Sequence, residues 1–325
     1  SQRDRPKCSV ISNPYTLLNQ FSILVYKGPI RCYGDQKWDK ILPKYCQNMG
    51  TEMGKSYKSK KKKGGAKDSA IADGEYKDPT LNWYPGHMIK ALNKIKENIK
   101  LVDVIIEIRD ARSPLATGNQ SFSQQFRDKK RLIVMNKTNL ADPKVVALWE
   151  KWFSKKDEPF VFINGLDSNS LGKVIQLTKE IVKESRSEST KSSKLKIMIV
   201  GLPNTGKSTI INRLSNRDAS KVADKPGQTT RQLWVKVNSE LEILDTPGIM
   251  PPFMESKEQV HWLSALHAIP ERITDSEDTA CYIIRHILEN HPKNLRDFYK
   301  IDDSADDLVG TLNLIAKIRG CIRKK

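Results

Sequence analysis

At 325 residues and a net charge of +18 the chain is long enough for two or three domains, and its charge is unevenly spread: residues 1–80 hold 16 Lys/Arg against 8 Asp/Glu, 81–253 hold 29 against 18, and 254–325 hold 11 against 12. The basic excess over the first two parts implies a polyanionic partner, with RNA or a ribonucleoprotein the natural candidate. An odd five cysteines with no C-x-x-C pair argue against a zinc site or a disulfide framework and for a reducing compartment, and no apolar run reaches the roughly 18–20 residues of a membrane span.

Residues 1–34 carry five Lys/Arg and a single acid, Asp4, the composition of an organelle transit region or a basic arm. Residues 55–67, KSYKSKKKKGGAK, form a Lys block that reads as an RNA-clinging arm, or alternatively as an import signal. Residues 1–80 are therefore taken as a basic N-terminal extension. From Asn82 the pattern changes. NWYPGHM opens a helix to about Leu101, with Ile89, Leu92, Ile95 and Ile99 at helical spacing. Strands are expected at Val102–Ile108, Arg131–Met135 and Phe160–Ile163, with helices near Gln120–Asp128, Pro143–Phe153 and Leu171–Lys183 between and after them.

A polar segment, residues 184–193, then leads to another apolar strand, a helix from about Lys207, and a strand pair near Leu233–Val237 and Glu242–Leu244. Alternating strands and helices predict an α/β domain, with a mostly parallel sheet covered by helices on both faces. Ligands in such sheets sit at the carboxyl ends of the strands, where Asn136, Asn164 and a glycine-rich loop all fall. From about Met254 only helices are expected, in the stretches HWLSALHAI, DTACYIIRHILEN and DDLVGTLNLIAKIRG, so residues 254–325 read as a small all-α domain. Its His261, His267, His286 and His291 lie among apolar residues and read as structural or surface residues.

The stretch 194–214, KLKIMIVGLPNTGKSTIINRL, carries the clearest chemistry. Gly201-x-x-x-x-Gly206-Lys207-Ser208 between strand and helix is a phosphate cradle: glycines let backbone N–H groups face an anion, Lys207 supplies a point charge, and the Ser208 hydroxyl can ligate Mg²⁺. Downstream, Asp245-Thr246-Pro247-Gly248 is a second nucleotide signal, with Asp245 holding Mg²⁺ through water and the Gly248 N–H sensing a γ-phosphate. Asn136-Lys137 at a strand end is a third, the start of a guanine-reading pattern. Together they indicate a GTPase; a P-loop small-molecule kinase would explain only the first. In ordinary GTPases base recognition follows the phosphate loop, whereas here it precedes it. The sequence therefore reads as a circularly permuted GTPase domain over residues 81–253, with a base-recognition half (81–183), a linker (184–193) joining the old termini and a phosphate and switch half (194–253). The chain leaving Gly248 runs directly into the C-terminal helices, which are placed to report nucleotide state.

NWYPGHMIKA, DVIIEIRDARSPLATGN, MNKTNLAD, GLPNTGKSTIINRL, KPGQTTRQLWVKV and LDTPGIMPP, in that order, resemble the YlqF/RbgA family of circularly permuted GTPases, including its mitochondrial members. The resemblance implies GTP hydrolysis stimulated by ribosomal RNA, a role in assembly of the large ribosomal subunit, and a helical C-terminal domain that contacts that RNA. By position, it implies that Asn136, Lys137, Thr138 and Asn139 face the base, with Asn164 and Gly165 supporting it. Asn204, Thr205, Gly206, Lys207, Ser208 and Thr209 would hold phosphates and Mg²⁺, Thr229, with Thr230 as the alternative, would cap the γ-phosphate and reach the metal, and Gly248 would close the far side. The resemblance further implies a potassium ion beside Asn204. Ile249 stands where many GTPases place a water-orienting Gln, and the family answers this with the histidine of PGHM, His87, as the catalytic residue; a helix-capping role is the alternative.

One residue departs from the family: Asn139 replaces an Asp, leaving one acceptor and a donor where guanine needs two acceptors. Expected partners are GTP/GDP, large-subunit ribosomal RNA and the assembling particle, with a monomer off the ribosome and no membrane span. The expected location is the mitochondrial matrix, with nucleolus or bacterial cytoplasm as alternatives. A hydrolysis-poor scaffold on the assembling subunit is the alternative function.

Overall fold

The computed structural model of the protein describes residues 86–119, 122, 125–183, 194–216, 233–251, 254, 256–270, 274–301 and 308–319. The N-terminal extension, the linker 184–193 and Thr229 lie outside the described residues. Six strands form one sheet: β1 (Val104–Asp110), β2 (Lys130–Asn136), β3 (Phe160–Phe162), β4 (Leu195–Gly201), β5 (Leu233–Lys236) and β6 (Leu241–Asp245). Their spatial order is β3-β2-β1-β4-β6-β5. Every neighbouring pair is parallel except β5 with β6. The domain thus has the mostly parallel, helix-covered sheet that the sequence predicts, with strands β1–β3 preceding β4, the strand that runs into the glycine-rich loop.

β1 is buried along its whole length, because a central parallel strand has a helix layer on each side. Alternate residues serve opposite faces. Val104, Ile106 and Ile108 join a core with Leu171, Val174 and Val182 of α3 (Ser168–Lys183) and Ile210 and Ile211 of α4 (Lys207–Leu214). Ile105 faces the other way, with Ile95 of α1 (Gly86–Asn98), Phe122, Phe126 and Val200. Farther along that face, Ile133 and Met135 meet Trp149 and Phe153 of α2 (Pro143–Phe153). Burying each such Ile or Leu contributes about 1.5–3 kcal/mol relative to leaving it in water.

The same strand carries Glu107, fully buried, whose carboxylate is neutralised on two sides. Arg109 Nε donates to its Oε1 at 2.8 Å and Arg131 Nη1 to its Oε2 at 3.2 Å, while Arg131 also pairs with Glu158. β1 therefore runs two residues past the expected end at Ile108, because its charges are satisfied within the fold. Capping fixes two helix starts: Asp142 accepts from Lys144 N at 2.6 Å to begin α2, and Asp167 accepts from Asn169 N and Ser170 N at the start of α3.

The C-terminal helices are α5 (Lys257–Ala265), α6 (Ser276–Asn290), α7 (Pro292–Tyr299) and α8 (Leu308–Ile318). They enclose a core of Trp262, Ile283, Ile287, Leu295, Leu312 and Ile315, which Ala116 from the loop after β1 also enters. α7 is an addition to the three helices expected there; it is eight residues long and buries only Leu295 and Tyr299, too little apolar spacing to show as a stripe. His261 stacks on Tyr282 with centroids 4.6 Å apart, and burial pushes His286 down to about 4. Among the described residues no helix is long and apolar enough to cross a membrane.

Candidate nucleotide site

The glycine-rich loop joins the end of β4 to the first turn of α4, where Ser208 and Thr209 are half-buried. Gly206 has φ +97°, and a Cβ there would lie 2.2 Å from Asn136 Nδ2, so only glycine fits. The loop braces itself: Thr205 Oγ1 donates to Leu202 O at 3.0 Å, and Lys207 Nζ donates to the same carbonyl at 2.7 Å.

Asn136 ends β2 and ties three segments together. Its Nδ2 donates to Thr205 O at 2.9 Å, and its Oδ1 accepts from Lys137 N and Gly165 N, each at 2.8 Å. The base-half loop, the loop after β3 and the phosphate loop are thus pinned by one buried amide. Lys137, with φ +68°, reaches over to donate from Nζ to Asn204 O at 2.5 Å. Thr138 N donates to Ile163 O at 3.1 Å, and Asn164 Oδ1 accepts from Leu166 N at 3.1 Å, shaping the facing loop. Asn139, on the short helical turn Thr138–Leu140, is exposed, whereas nearby Asp142 is buried and committed to the cap of α2. The structure therefore brings together Asn136, Lys137, Gly165, Asn204, Thr205 and Gly206 from segments far apart in sequence.

Asp245 closes β6 beside Lys207. Burial raises its carboxyl to about 6 against the pull of Lys207, and burial lowers Lys207 to about 8 against the pull of Asp245. Asp245 Oδ1 is buried with no hydrogen-bond partner among the described residues. A desolvated carboxylate oxygen without a donor, next to a helix start bearing Ser208, fits Mg²⁺: Asp245 and Ser208 would hold the ion, which supplies positive charge to phosphate oxygens. Gly248 lies against the loop, where a Cβ would be 2.7 Å from Pro203 N. Ile249 donates its N–H to Gly201 O at 3.2 Å and buries its side chain in the core with Ile95 and Val200, away from the loop surface. Helix α1 begins nearby, since Met88 packs with Leu202 of the phosphate loop, Met250 and Met254. His87 precedes Met88 at that helix start; its side chain lies outside the described residues.

Two features went unread in the sequence. Asn204 donates from Nδ2 to His267 O at 2.8 Å, linking the phosphate loop to the turn that ends α5. Asp110, at the end of β1, holds Lys137 Nζ at 3.1 Å; its place at a strand's carboxyl end was the available signal, masked by the charges on either side of it.

A family profile described as "50S ribosome-binding GTPase" matches residues 196–313. Ribosome biogenesis GTPase A of Bacillus pumilus is 36% identical over 247 residues, covering 75% of this chain and 88% of that protein. Mitochondrial ribosome-associated GTPase 1 of Bos taurus is 30% identical over 247 residues, covering 72% of this chain and 74% of that one. The crystal structure of GNP-bound YlqF from Thermotoga maritima covers 71% of this chain and 95% of its own, at 26% identity and a TM-score of 0.45. With that identity to the Bacillus protein across most of both chains, and a phosphate loop braced against a preceding base-half loop, this chain belongs to the ribosome biogenesis GTPase A family, the YlqF/RbgA GTPases.

Proposed function

We propose that the protein is a GTP-binding and GTP-hydrolysing assembly factor of the large ribosomal subunit, that it acts in the mitochondrion, and that hydrolysis releases it from the pre-ribosomal particle. One observation carries the nucleotide reading: the Asn136 amide joins Thr205 of the phosphate loop to Gly165 of the facing loop, so the segments read as phosphate-binding and base-reading meet at one place. The particle reading is supported by the names of the relatives and by the +18 net charge, and the location by likeness to the Bos taurus protein and by the acid-poor start of the chain. In this reading residues 1–80 are a basic extension, 81–253 the GTPase domain and 254–325 the helical domain that reports nucleotide state to the RNA.

Within the cleft, Lys137 and the loop bearing Asn164 flank the base, while Lys207, Ser208 and backbone N–H groups of the loop take the phosphates. Asp245 and Ser208 would hold Mg²⁺, which would supply positive charge to the phosphate oxygens; the family resemblance would add Thr229 to that ion and a potassium ion beside Asn204. In this reading His87 orients a water whose oxygen attacks the γ-phosphorus as the bond to the bridging oxygen breaks, leaving GDP and inorganic phosphate. Ile249, packed in the core, leaves that task to another side chain. The exposed Asn139 favours a second reading, a scaffold that binds nucleotide and turns it over poorly. Binding of GTP, GDP and ATP by the full chain, together with co-sedimentation on large-subunit particles, tests the proposal. Guanine selectivity with GTP-dependent pelleting is expected; equal affinity for ATP, or pelleting indifferent to nucleotide, refutes it.

A further inference from the structure

Asp110 stands level with Asn136 across the β1–β2 pairing, at the rim of the cleft, and is 1% exposed. Its Oδ1 accepts from Arg112 N at 3.0 Å and Arg112 Nε at 2.9 Å, and its Oδ2 accepts from Arg112 Nη2 at 2.7 Å while lying 3.1 Å from Lys137 Nζ. Thr117 Oγ1 accepts from the Asp110 N–H at 2.9 Å, fixing the strand end itself. The carboxylate is thus held by Arg112 on one side and by Lys137 on the other, and Lys137 carries the hold onward to the phosphate loop. Lys137 Nζ meets Asn204 O at 2.5 Å, and the Lys137 Cε lies 4.0 Å from where a Cβ on Gly206 would stand. Both ends of this bar, Lys137 at φ +68° and Asn204 at φ +58°, occupy the left-handed region, which Asn tolerates but which is uncommon for a Lys unless its contacts hold it there.

We propose that Asp110 is a positioning residue for nucleotide binding: by gripping the Lys137 ammonium it holds that side chain as a bar across the phosphate loop and locks base-reading and phosphate-binding segments in one geometry. The inference rests on the proposed nucleotide cleft, and the ligand it serves is a nucleoside polyphosphate long enough to touch both segments. Burial pushes the Asp110 carboxyl up, but Lys137 and Arg112 outweigh burial and leave it at about 2, so the grip persists throughout the neutral range. A merely structural Asp110 would instead serve Arg112 and the turn after β1, with no dependence on Lys137.

A double-mutant cycle separates the two roles, using titrations of fluorescent GDP against the full chain carrying Asp110→Asn, Lys137→Met or both. Each single change should weaken GDP about tenfold or more, and the double variant should bind within about threefold of the weaker single one, because both remove the same bar. Should Asp110→Asn fail to fold with Arg112 left facing an amide, the cycle is run with Arg112→Gln in every member. If Lys137→Met weakens GDP while Asp110→Asn does not, or if the two effects multiply, the positioning role is overturned. If Lys137→Met itself leaves GDP binding unchanged, the reading of the cleft fails, and this inference with it.

Discussion

Asn139 concentrates the chemistry of base choice in one side chain. It is exposed on the turn that starts at Thr138, and Asp142 is occupied in capping α2, so no nearby carboxylate takes its place in that turn. If guanine is read here, Asn139→Asp should tighten GTP binding about ten- to hundredfold and reduce tolerance of xanthosine triphosphate, following the cost of one mispaired contact that the bound base covers. Equal GTP affinity in competitive titrations of the two forms would assign base recognition to other groups. Asp245 gives a second residue-scale test. Its folded value of about 6 lies above the ordinary 3.8, so the metal-free folded chain holds this proton more tightly than the unfolded chain between those values and loses stability as pH rises through that window. Mg²⁺ needs the ionised form. Mg²⁺-dependent GDP binding should therefore weaken about tenfold per pH unit below about 6. Asp245→Asn should bind Mg²⁺ poorly at every pH, with that slope gone.

At the level of elements, what the sequence showed and what it hid have distinct physical causes. Strands bounded by apolar runs were legible, as were the phosphate loop and the order reversal, because each is written in consecutive residues. The extension of β1 through Arg109 and Asp110 was hidden, since the Arg109 guanidinium is answered by buried Glu107 and the Asp110 carboxylate by Arg112 and Lys137, pairings that consecutive residues do not announce. Asn136 is read from the sequence as facing a base; its hydrogen bonds to Thr205, Lys137 and Gly165 are a second role, one that requires knowing which loops meet. That convergence is sensitive to a single methyl group. Gly206→Ala would place a Cβ against Asn136 Nδ2 at a φ that alanine resists, and should cost about 1–3 kcal/mol of stability while reducing nucleotide affinity at least about tenfold. Thermal melting and GDP titration of that variant measure the two effects, and a variant that binds as tightly as the parent would show that the loops do not need this close approach.

Across the whole molecule, helix α5 is docked at both ends onto loops of the GTPase domain. Gln259 Nε2 donates to Ala116 O at 3.3 Å near its start, and His267 O accepts from Asn204 Nδ2 at 2.8 Å just beyond its end. A change at the phosphate loop therefore has a short mechanical route into the helical domain. If the lysine block binds RNA as proposed, deleting residues 55–67 removes seven lysines and should weaken binding to ribosomal particles and flatten its salt dependence, without altering hydrolysis by the free protein. Pelleting assays across a salt series would show an unchanged slope if the block does not touch RNA. The most direct test of the account is phosphate release measured with and without assembling large-subunit particles, for the wild-type chain and for His87→Ala. The account predicts that particles accelerate the wild type and that His87→Ala binds nucleotide normally while losing about 10²–10⁴-fold in the particle-stimulated rate. A wild-type rate indifferent to the particles would contradict it.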